Sequence, residues 1–398
     1  MSREPLRRPF SVLVAGLAFA TLSVAASVWT LDDGGQTGQS LTPPVTNLYP
    51  SGVVELSAPP PVAVAAGVQC DISGNIYLQY SSSVQFLYER AREQSPANLP
   101  LRKLSPDSKE TVVFPVGPFP GYQWFNTAAF YVTPNSDVYN LAQACRSEGS
   151  PRADTCAWIV TKYKNDGSPD DVVKLRLPGG VLLATARFAA FGDGRLLLSG
   201  YTQHADGGEE PFTGIFDRSG VLLTNLTLPQ DVGPAPAPPR PAPKSSEGSS
   251  TTASENKEKH PGILLAEAVG GSQIVGAPDG TLYLLRGGSP ERLYVVSSDG
   301  TILREQNIQP PRPGLLPFSV SLTAQDQLFI IYTHVPTAKD PSGAPVLALV
   351  DPQSGKTISV YEAPPQAGAP ACMARAGEIL FTRESKSGAL EIARYTPE

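Results

Sequence analysis

The chain is poor in charged residues and in the side chains that most often carry catalysis. Charged residues make up 17% of the 398 residues, and histidine occurs only at His204, His260 and His334. The motifs GxSxG and HExxH are absent, as is a nucleotide-type glycine-rich loop. No histidine has a second histidine or a cysteine at ligand spacing, which argues against a zinc site. The motifs therefore support none of the common hydrolase or zinc-enzyme classes.

Two further absences bear on fold and partners. After residue 30 no long stretch has the i, i+3, i+4, i+7 apolar spacing of an amphipathic helix, so helix is a minor component. Basic clusters are missing and the formal net charge is −6, which argues against nucleic-acid binding and adhesion to anionic lipid. Proline (41 residues) and glycine (36 residues) are abundant instead, as expected for many short strands joined by turns.

A short unit recurs six times. In each copy an apolar run meets a small turn built around Gly, Asn or Asp and resumes as a β-rich run. The copies are CDISGNIYLQY from Cys70, YVTPNSDVYNL from Tyr131, FAAFGDGRLLLSG from Phe188, IVGAPDGTLYLL from Ile274, VSLTAQDQLFII from Val320 and CMARAGEILF from Cys372. A unit of this size cannot bury both of its faces alone, so the copies must stack and share a core.

Each copy continues with a third run, a second turn and a fourth run, which predicts a four-stranded antiparallel blade. The sixth copy stops at LEIARYTPE, before its fourth run, and the segment YPSGVVELSAPPP near the other terminus has the missing pattern. Residues 51–57 should therefore pair with the strand around Glu391 to Tyr395 and remove the open edges. We predict an all-β, six-bladed β-propeller with ring closure by an N-terminal strand.

The repeat resembles the extracytoplasmic six-bladed propellers of the NHL, TolB-like and lactonase-type superfamily, over residues 51–398 outside an insertion. That superfamily contains lactonases, lyases, ligand carriers and interaction modules. In its metal-dependent lactonases, acidic and amide ligands on inner strands surround a central channel. The matching positions here are Gln69, Ala128, Arg187, Gln273, Ser319 and Cys372. None is acidic, which argues against a channel-bound divalent cation. No cofactor or metal is expected.

The remaining organisation is predicted from composition. Arg3, Arg7 and Arg8 precede an apolar run, so residues 1–26 are a signal peptide or an uncleaved anchor. Residues 27–50 form a flexible tether and residues 51–398 the propeller, interrupted by a disordered Pro/Ser-rich insertion at 232–262. The protein is expected to be exported to the periplasm or the extracellular space, and the anchor is its one expected route to a membrane.

Four cysteines in an exported chain can form disulfides. Cys145 and Cys156 flank a polar loop between two β-rich runs, so a bridge between them is predicted. Cys70 and Cys372 occupy nearly matching places in the first and last copies. They can pair across the closure, but two buried thiols are the preferred interpretation, because burial is the default for cysteine.

Candidate ligand-binding residues lie on the face that carries the long loops. Tyr122, Trp124 and Phe125 can stack on a sugar or peptide, or can pack between the first two blades. His204 and His334 follow equivalent strands and are more simply loop residues without a role.

Arg187, with Gln69 and Gln273, can bind an anion or a polar ligand, the plain alternative being a solvated channel lining.

Two functions are carried forward. The first is a monomeric, non-catalytic binding or scaffolding module that uses residues 119–125, 201–210 and 334–340 to bind a protein, peptide or carbohydrate. The second is a propeller hydrolase or lyase with its centre at the channel mouth, formed by Arg187 with His204 or with Glu209. The absence of converging acid, base and metal groups favours the first.

Overall fold

The computed structural model describes residues 43–56, 62–82, 100–146, 155–177, 182–203, 209–228, 273–287, 290–334, 344–374, 377–386 and 389–398. All of them belong to the unit Leu41–Glu398. Residues 1–26, most of the tether and the insertion at 232–262 lie outside these ranges. Within the ranges there is no helix long and apolar enough to cross a membrane.

The described ranges form strands joined by turns. In chain order the strands are β1 (Val45–Glu55), β2 (Val62–Cys70), β3 (Ile76–Ser82), β4 (Leu101–Leu104), β5 (Glu110–Phe114), β6 (Trp124–Val132), β7 (Val138–Cys145), β8 (Cys156–Tyr163), β9 (Pro169–Lys174), β10 (Leu182–Ala190), β11 (Leu196–Gln203), β12 (Glu209–Phe216), β13 (Leu222–Asn225), β14 (Gln273–Gly276), β15 (Leu282–Arg286), β16 (Glu291–Val296), β17 (Ile302–Ile308), β18 (Leu315–Leu322), β19 (Leu328–His334), β20 (Val346–Val350), β21 (Thr357–Glu362), β22 (Ala369–Met373), β23 (Ile379–Glu384) and β24 (Leu390–Pro397).

Hydrogen bonding sorts these strands into five sheets. Four sheets have four strands in chain order: β2–β5, β6–β9, β10–β13 and β14–β17. The fifth has eight strands in the order β18-β19-β20-β21-β1-β24-β23-β22. The prediction of an all-β fold is confirmed, and the sheets form a propeller-like arrangement.

β1 joins two parts of the eight-stranded sheet. Gly52 to Glu55 pair antiparallel with Arg394 to Glu391, as predicted for the closure, with Val54 opposite Ile392. Farther upstream, Val45 to Asn47 pair in parallel with β21. Six separate sheets were predicted, and this second contact is why the hydrogen bonding gives five.

The strand also begins earlier than predicted. Residues 27–50 were assigned to a tether, but β1 starts at Val45, and Leu48 is 6% exposed. Leu48 packs with Phe381 and Tyr395 of the neighbouring strands. Burial of this single apolar side chain in a polar, Pro-rich segment explains why composition alone misplaced the boundary.

In each copy of the repeat, the turn after the first strand has the same pattern of hydrogen bonds. Its first residue donates an N–H bond to the carbonyl four residues on, and the fourth residue donates back to the first. These turns span residues 71–75, 133–137, 191–195, 277–281, 323–327 and 374–378. The fourth residue has a positive φ and is glycine in four copies but Ser136 and Asp326 in two. Positive φ favours glycine, so the turn chemistry anticipated from sequence is present.

The core lies between sheets. Leu197 of β11 and Leu284 of β15 have no exposed surface and belong to one apolar cluster. Leu78 of β3 and Ile392 of β24 belong to another, which brings the first and last strand runs together. This is the shared core that the repeat predicted.

Both cysteine pairs form disulfides. Cys145 and Cys156 face each other in the β7–β8 register with Cα atoms 4.0 Å apart, as predicted. Cys70 and Cys372 are also bridged, with Cα atoms 6.2 Å apart. The preference for two thiols was therefore wrong, because β2 and β22 pack against each other and bring the two residues together. Two disulfides fit an oxidising, exported environment.

Candidate functional site: a central cavity

A cavity of about 330 Å³ lies where the first strands of the six repeat copies meet. β2, β6, β10, β14, β18 and β22 all contribute to its wall. All six positions that the repeat alignment assigned to a channel line it, namely Gln69, Ala128, Arg187, Gln273, Ser319 and Cys372. The alignment of the copies thus located the cavity from sequence.

Among the described residues, one charged side chain lines this cavity. Apart from Arg187, its lining residues are amide, hydroxyl, aromatic, aliphatic, glycine or cystine residues. Arg187 keeps exposed surface toward the cavity, while burial among protein atoms lowers its pKa. The guanidinium stays charged, since arginine does not deprotonate in proteins. Arg187 therefore brings a positively charged group to the cavity wall.

The cavity does not suit a divalent cation. The lining residues that the structure describes include no carboxylate and no histidine, and hard cations need carboxylate or other oxygen ligands. Arg187 adds like-charge repulsion. Across the part of the chain that the structure describes, no group of three or more His, Cys, Asp or Glu side chains is arranged to hold a metal ion.

Gln69 is engaged in a structural contact. Its Nε2 donates to the carbonyl of Phe130 at 2.9 Å, and its Oε1 accepts from the N–H of Val132 at 2.8 Å. Both partners are backbone groups on the free edge of β6. The predicted trio of Gln69, Arg187 and Gln273 does line one cavity, but Gln69 ties β2 to β6 through both ends of its amide.

The Tyr131 side chain lies across the cavity near one end. It is 4% exposed, and its ring meets Phe188 edge-on with centroids 6.5 Å apart. A Cβ at Gly276 of β14 would lie 2.7 Å from the Tyr131 hydroxyl, so the side chain reaches from β6 past β10 to β14. Gly276 directly precedes its tight turn and Tyr131 lies two residues before its own, so this contact is at the turn end. Burial raises the pKa of Tyr131 far above its usual value.

The aromatic candidates lie elsewhere. Phe125 packs edge-on against Phe119, with ring centroids 5.4 Å apart. Tyr122 and Phe125 are half-buried against a cluster that includes Ala142 and Ile159 of the β7–β8 pair. This cluster belongs to the second sheet and the connection before it. It is therefore not the packing between the first two blades that was considered for these residues. Trp124 opens β6, its backbone opposite Cys145, and its side chain lies outside the described atoms.

The histidine candidates are placed only in part. His204 lies outside the described residues. His334 ends β19 with its backbone opposite Leu315, and Glu209 begins β12 opposite Gln203. The side chains of His334 and Glu209 are not among the described atoms.

Two buried acidic residues were not anticipated. Asp71 accepts hydrogen bonds from Tyr77 and Ser136 at 3.0 and 2.7 Å, which links β3 to the turn after β6. Glu291 has no exposed surface and accepts one from the Tyr332 hydroxyl at 3.1 Å. Asp71 opens the first turn of the repeat, a position that could have suggested a capping role; Glu291 carried no such signal.

Comparison with known proteins gives a likeness of fold. No family model matches the chain, and no curated protein matches its sequence. A protein of unknown function from Dyadobacter fermentans DSM 18053 aligns with a TM-score of 0.51 at 9% identity, over 88% of this chain and 99% of that one.

Two functionally described structures align less closely. A gluconolactonase from Xanthomonas campestris aligns with a TM-score of 0.37 at 13% identity, over 87% of this chain and 98% of that one. The calcium-binding protein regucalcin from Agrobacterium tumefaciens str. C58 gives 0.39 at 13% identity, over 89% and 97%. The alignment with the Dyadobacter fermentans structure, at a TM-score of 0.51, shows a likeness of fold alone.

Proposed function

We propose that this protein is an exported, non-catalytic binding module that holds a small anionic ligand in its central cavity. The observation that carries the proposal is the composition of the cavity wall, to which Arg187 contributes a charged side chain and to which no other described residue does. A cationic group surrounded by hydroxyls, an amide and apolar surface is suited to orient an anion. The two disulfides support export.

The proposal includes a six-bladed architecture. β1 pairs with β24 over seven residue pairs and with β21 over three, which supports counting the eight-stranded sheet as two blades joined by a short contact. Each of the six strands on the cavity wall then opens one blade. Under this count β1 is the fourth strand of the last blade, and the cavity is the central channel.

The residue composition of the cavity wall also favours a binding role over catalysis. General acid–base chemistry needs a titratable group within hydrogen-bond reach of the reacting atoms. Arginine does not serve as such a group at neutral pH, and no carboxylate or imidazole joins it among the lining residues. The alternative, a hydrolase or lyase at the channel mouth, needs His204 or Glu209 to supply the missing group.

The loop face remains the proposed docking face. Because the Tyr131 side chain lies across the turn end, we expect a ligand to enter from the end where the innermost strands begin, which is the end that carries the long loops. A protein, peptide or carbohydrate partner on that face would present a carboxylate, sulfate or phosphate to Arg187.

Calorimetric titration of the mature protein with acetate, sulfate, phosphate and glucuronate tests the proposal. Arg187→Gln removes the charge, and Lys174→Gln, on an exposed outer strand, removes the same charge away from the cavity. We expect at least one probe to bind wild type and Lys174→Gln alike, and to lose roughly tenfold or more in affinity to Arg187→Gln. Binding that survives Arg187→Gln, or no binding by any probe, contradicts the proposal. Turnover of glucuronolactone, a simple sugar lactone, that disappears with His204→Gln or Glu209→Gln would favour the enzyme.

A further inference from the structure

We propose that the ligand of the central cavity is a small amphipathic anion, a carboxylate carried on a single apolar body. Its head lies at Arg187 and its body along Phe318 and Leu316. This inference rests on the proposed function, because it names the ligand class for the same cavity.

Phe318 and Leu316 are exposed at an unusual place in the fold. Phe318 is 62% exposed and Leu316 is 45% exposed, and both belong to β18, one of the strands on the cavity wall. Every other large apolar side chain that is exposed in the described ranges lies on β5, β9, β13 or β17, at the outer edges of their sheets, or on β1 or β21, in the middle of the eight-stranded sheet. An apolar pair beside a cavity is typical of a ligand-binding surface.

The alternation along β18 assigns one of its faces to the core. Leu315, Val320 and Leu322 pack into the cluster shared with β15 and β16. Pro317 faces the same neighbour, since its ring lies 3.3 Å from the position of a Cβ built on Gly287. Side chains between these residues therefore face away from that core.

β18 contributes Ser319, Val320 and Ser321 to the cavity wall. Ser319 and Ser321 lie on the face of β18 opposite that core. The register with β19 shifts between Pro317 and Ser319, so Phe318 is an extra residue in a β-bulge. The bulge leaves Phe318 on the same side of the strand as Ser319, and alternation places Leu316 on that side too. Leu316, Phe318 and Ser319 thus form one row that continues the cavity wall.

The row of Leu316, Phe318 and Ser319 extends from the height of Arg187 toward the end of the cavity opposite the tight turns. Arg187 and Ser319 each lie four residues before the tight turn that follows their strand, so they stand at the same height in the cavity. Leu316 is three residues earlier on β18, about 10 Å farther from the turn end at the usual rise of a strand. The Tyr131 side chain lies across the turn end. We therefore place the body of a ligand whose carboxylate is at Arg187 toward the opposite end, along Phe318 and Leu316.

Calorimetric titration with acetate, butanoate, hexanoate, octanoate and decanoate, and with octanol as the uncharged probe, tests the inference. We expect affinity for wild type to rise about threefold to fourfold per methylene between butanoate and octanoate, the gain for burying a CH₂ group. Phe318→Ser should remove most of that gain, with octanoate about tenfold weaker and acetate unchanged. Leu303→Ser is the matched control, because Leu303 is 56% exposed on β17, at an outer edge. Octanol should bind far more weakly than octanoate.

The outcomes separate this inference from the function on which it rests. Arg187-dependent binding of acetate with no gain from chain length overturns the inference and leaves the anion site standing. A gain that persists in Phe318→Ser overturns it as well. If Phe318→Ser lowers the melting temperature much more than Leu303→Ser, Phe318 packs against another part of this chain and the inference is wrong. Failure of every carboxylate to bind removes the proposed function itself.

Discussion

Glu291 is a carboxyl group held in the core by one hydrogen bond. The Tyr332 hydroxyl donates to its Oε2, and its Oε1 has no hydrogen-bond partner among the described residues. Burial raises the pKa of Glu291 to about 8, and the bond from Tyr332 opposes that rise only in part. The folded protein therefore holds Glu291 in its protonated form at neutral pH.

The raised pKa of Glu291 makes folding stability depend on pH. Below about pH 4.5, Glu291 is protonated in both the folded and the unfolded chain. Between that pH and about 8 only the unfolded chain ionises, so the free energy of unfolding falls by about 1.4 kcal/mol per pH unit. Glu291→Gln should lack this loss and become more stable than wild type as the pH rises to 8. Urea unfolding from pH 4 to pH 8 measures the difference.

The control for this prediction is Glu384→Gln, which removes one exposed carboxylate. If the free energy of unfolding has the same pH dependence in Glu291→Gln as in wild type, Glu291 is solvated in the folded protein and the prediction is wrong.

The turn positions could be predicted from the sequence, because their backbone geometry limits which residue types can occupy them. The sequence located the six turns through Gly, Asn and Asp. It did not reveal that Ser136 and Asp326 hold the positive-φ position, because neither residue is restricted to it. Ser136 is supported by its hydrogen bond to Asp71, a contact between residues 65 positions apart that no local pattern encodes.

At the scale of elements, side chains join the sheets where backbones do not. Phe130 and Val132 lie on the edge of β6 that faces the cavity wall of the neighbouring sheet. Gln69 satisfies one carbonyl and one N–H on that edge. A backbone group left without a partner in a buried site costs about 1–3 kcal/mol.

Gln69→Leu should therefore lower the free energy of unfolding by about 1–3 kcal/mol. Gln273→Leu is the matched control, since Gln273 lines the same cavity and makes no hydrogen bond to described residues through its amide. Chemical denaturation of both variants compares the two glutamines. Equal losses would mean that the Gln69 bridge contributes nothing beyond its apolar contacts.

Strand order was readable from sequence because each run of apolar residues ends in a recognisable turn. The joining of the last two four-stranded groups into one sheet could not be predicted from the sequence. It depends on the parallel pairing of Val45 to Asn47 with β21. Those three residues belong to a segment whose Thr, Asn and Pro content resembles a linker. The position of a strand edge in space decides that contact, and local composition does not report it.

For the whole molecule, the two disulfides close loops of very different size. Cys70 and Cys372 are 302 residues apart, and Cys145 and Cys156 are 11 apart. A cross-link stabilises mainly by restricting the unfolded chain, and the effect grows with the loop.

Removal of the long-range bridge should therefore cost more. On chain entropy alone, Cys70→Ala/Cys372→Ala should lose roughly 5–6 kcal/mol and Cys145→Ala/Cys156→Ala roughly 3 kcal/mol. Unfolding in guanidinium chloride, followed by circular dichroism, measures both. A larger loss from the second pair would contradict the prediction.

The position of the candidate site could be predicted from the sequence better than its ligand chemistry. Register among the repeats brought Arg187, Gln273 and Ser319 to one cavity, because equivalent strands occupy equivalent positions around it. The exposed Phe318 was not foreseeable. Its direction depends on a bulge, and an extra residue in one strand is visible only once the partner strand is in register.

The pairing of β1 with β24 has a consequence for how the protein is made. β1 precedes every other described strand, and β24 follows all of them. A chain still under synthesis holds β1 without its antiparallel partner until the last strand emerges. The β1–β24 closure therefore forms after every other described strand has emerged, and a nascent chain that stalls before β24 exposes an unpaired strand to quality-control proteases.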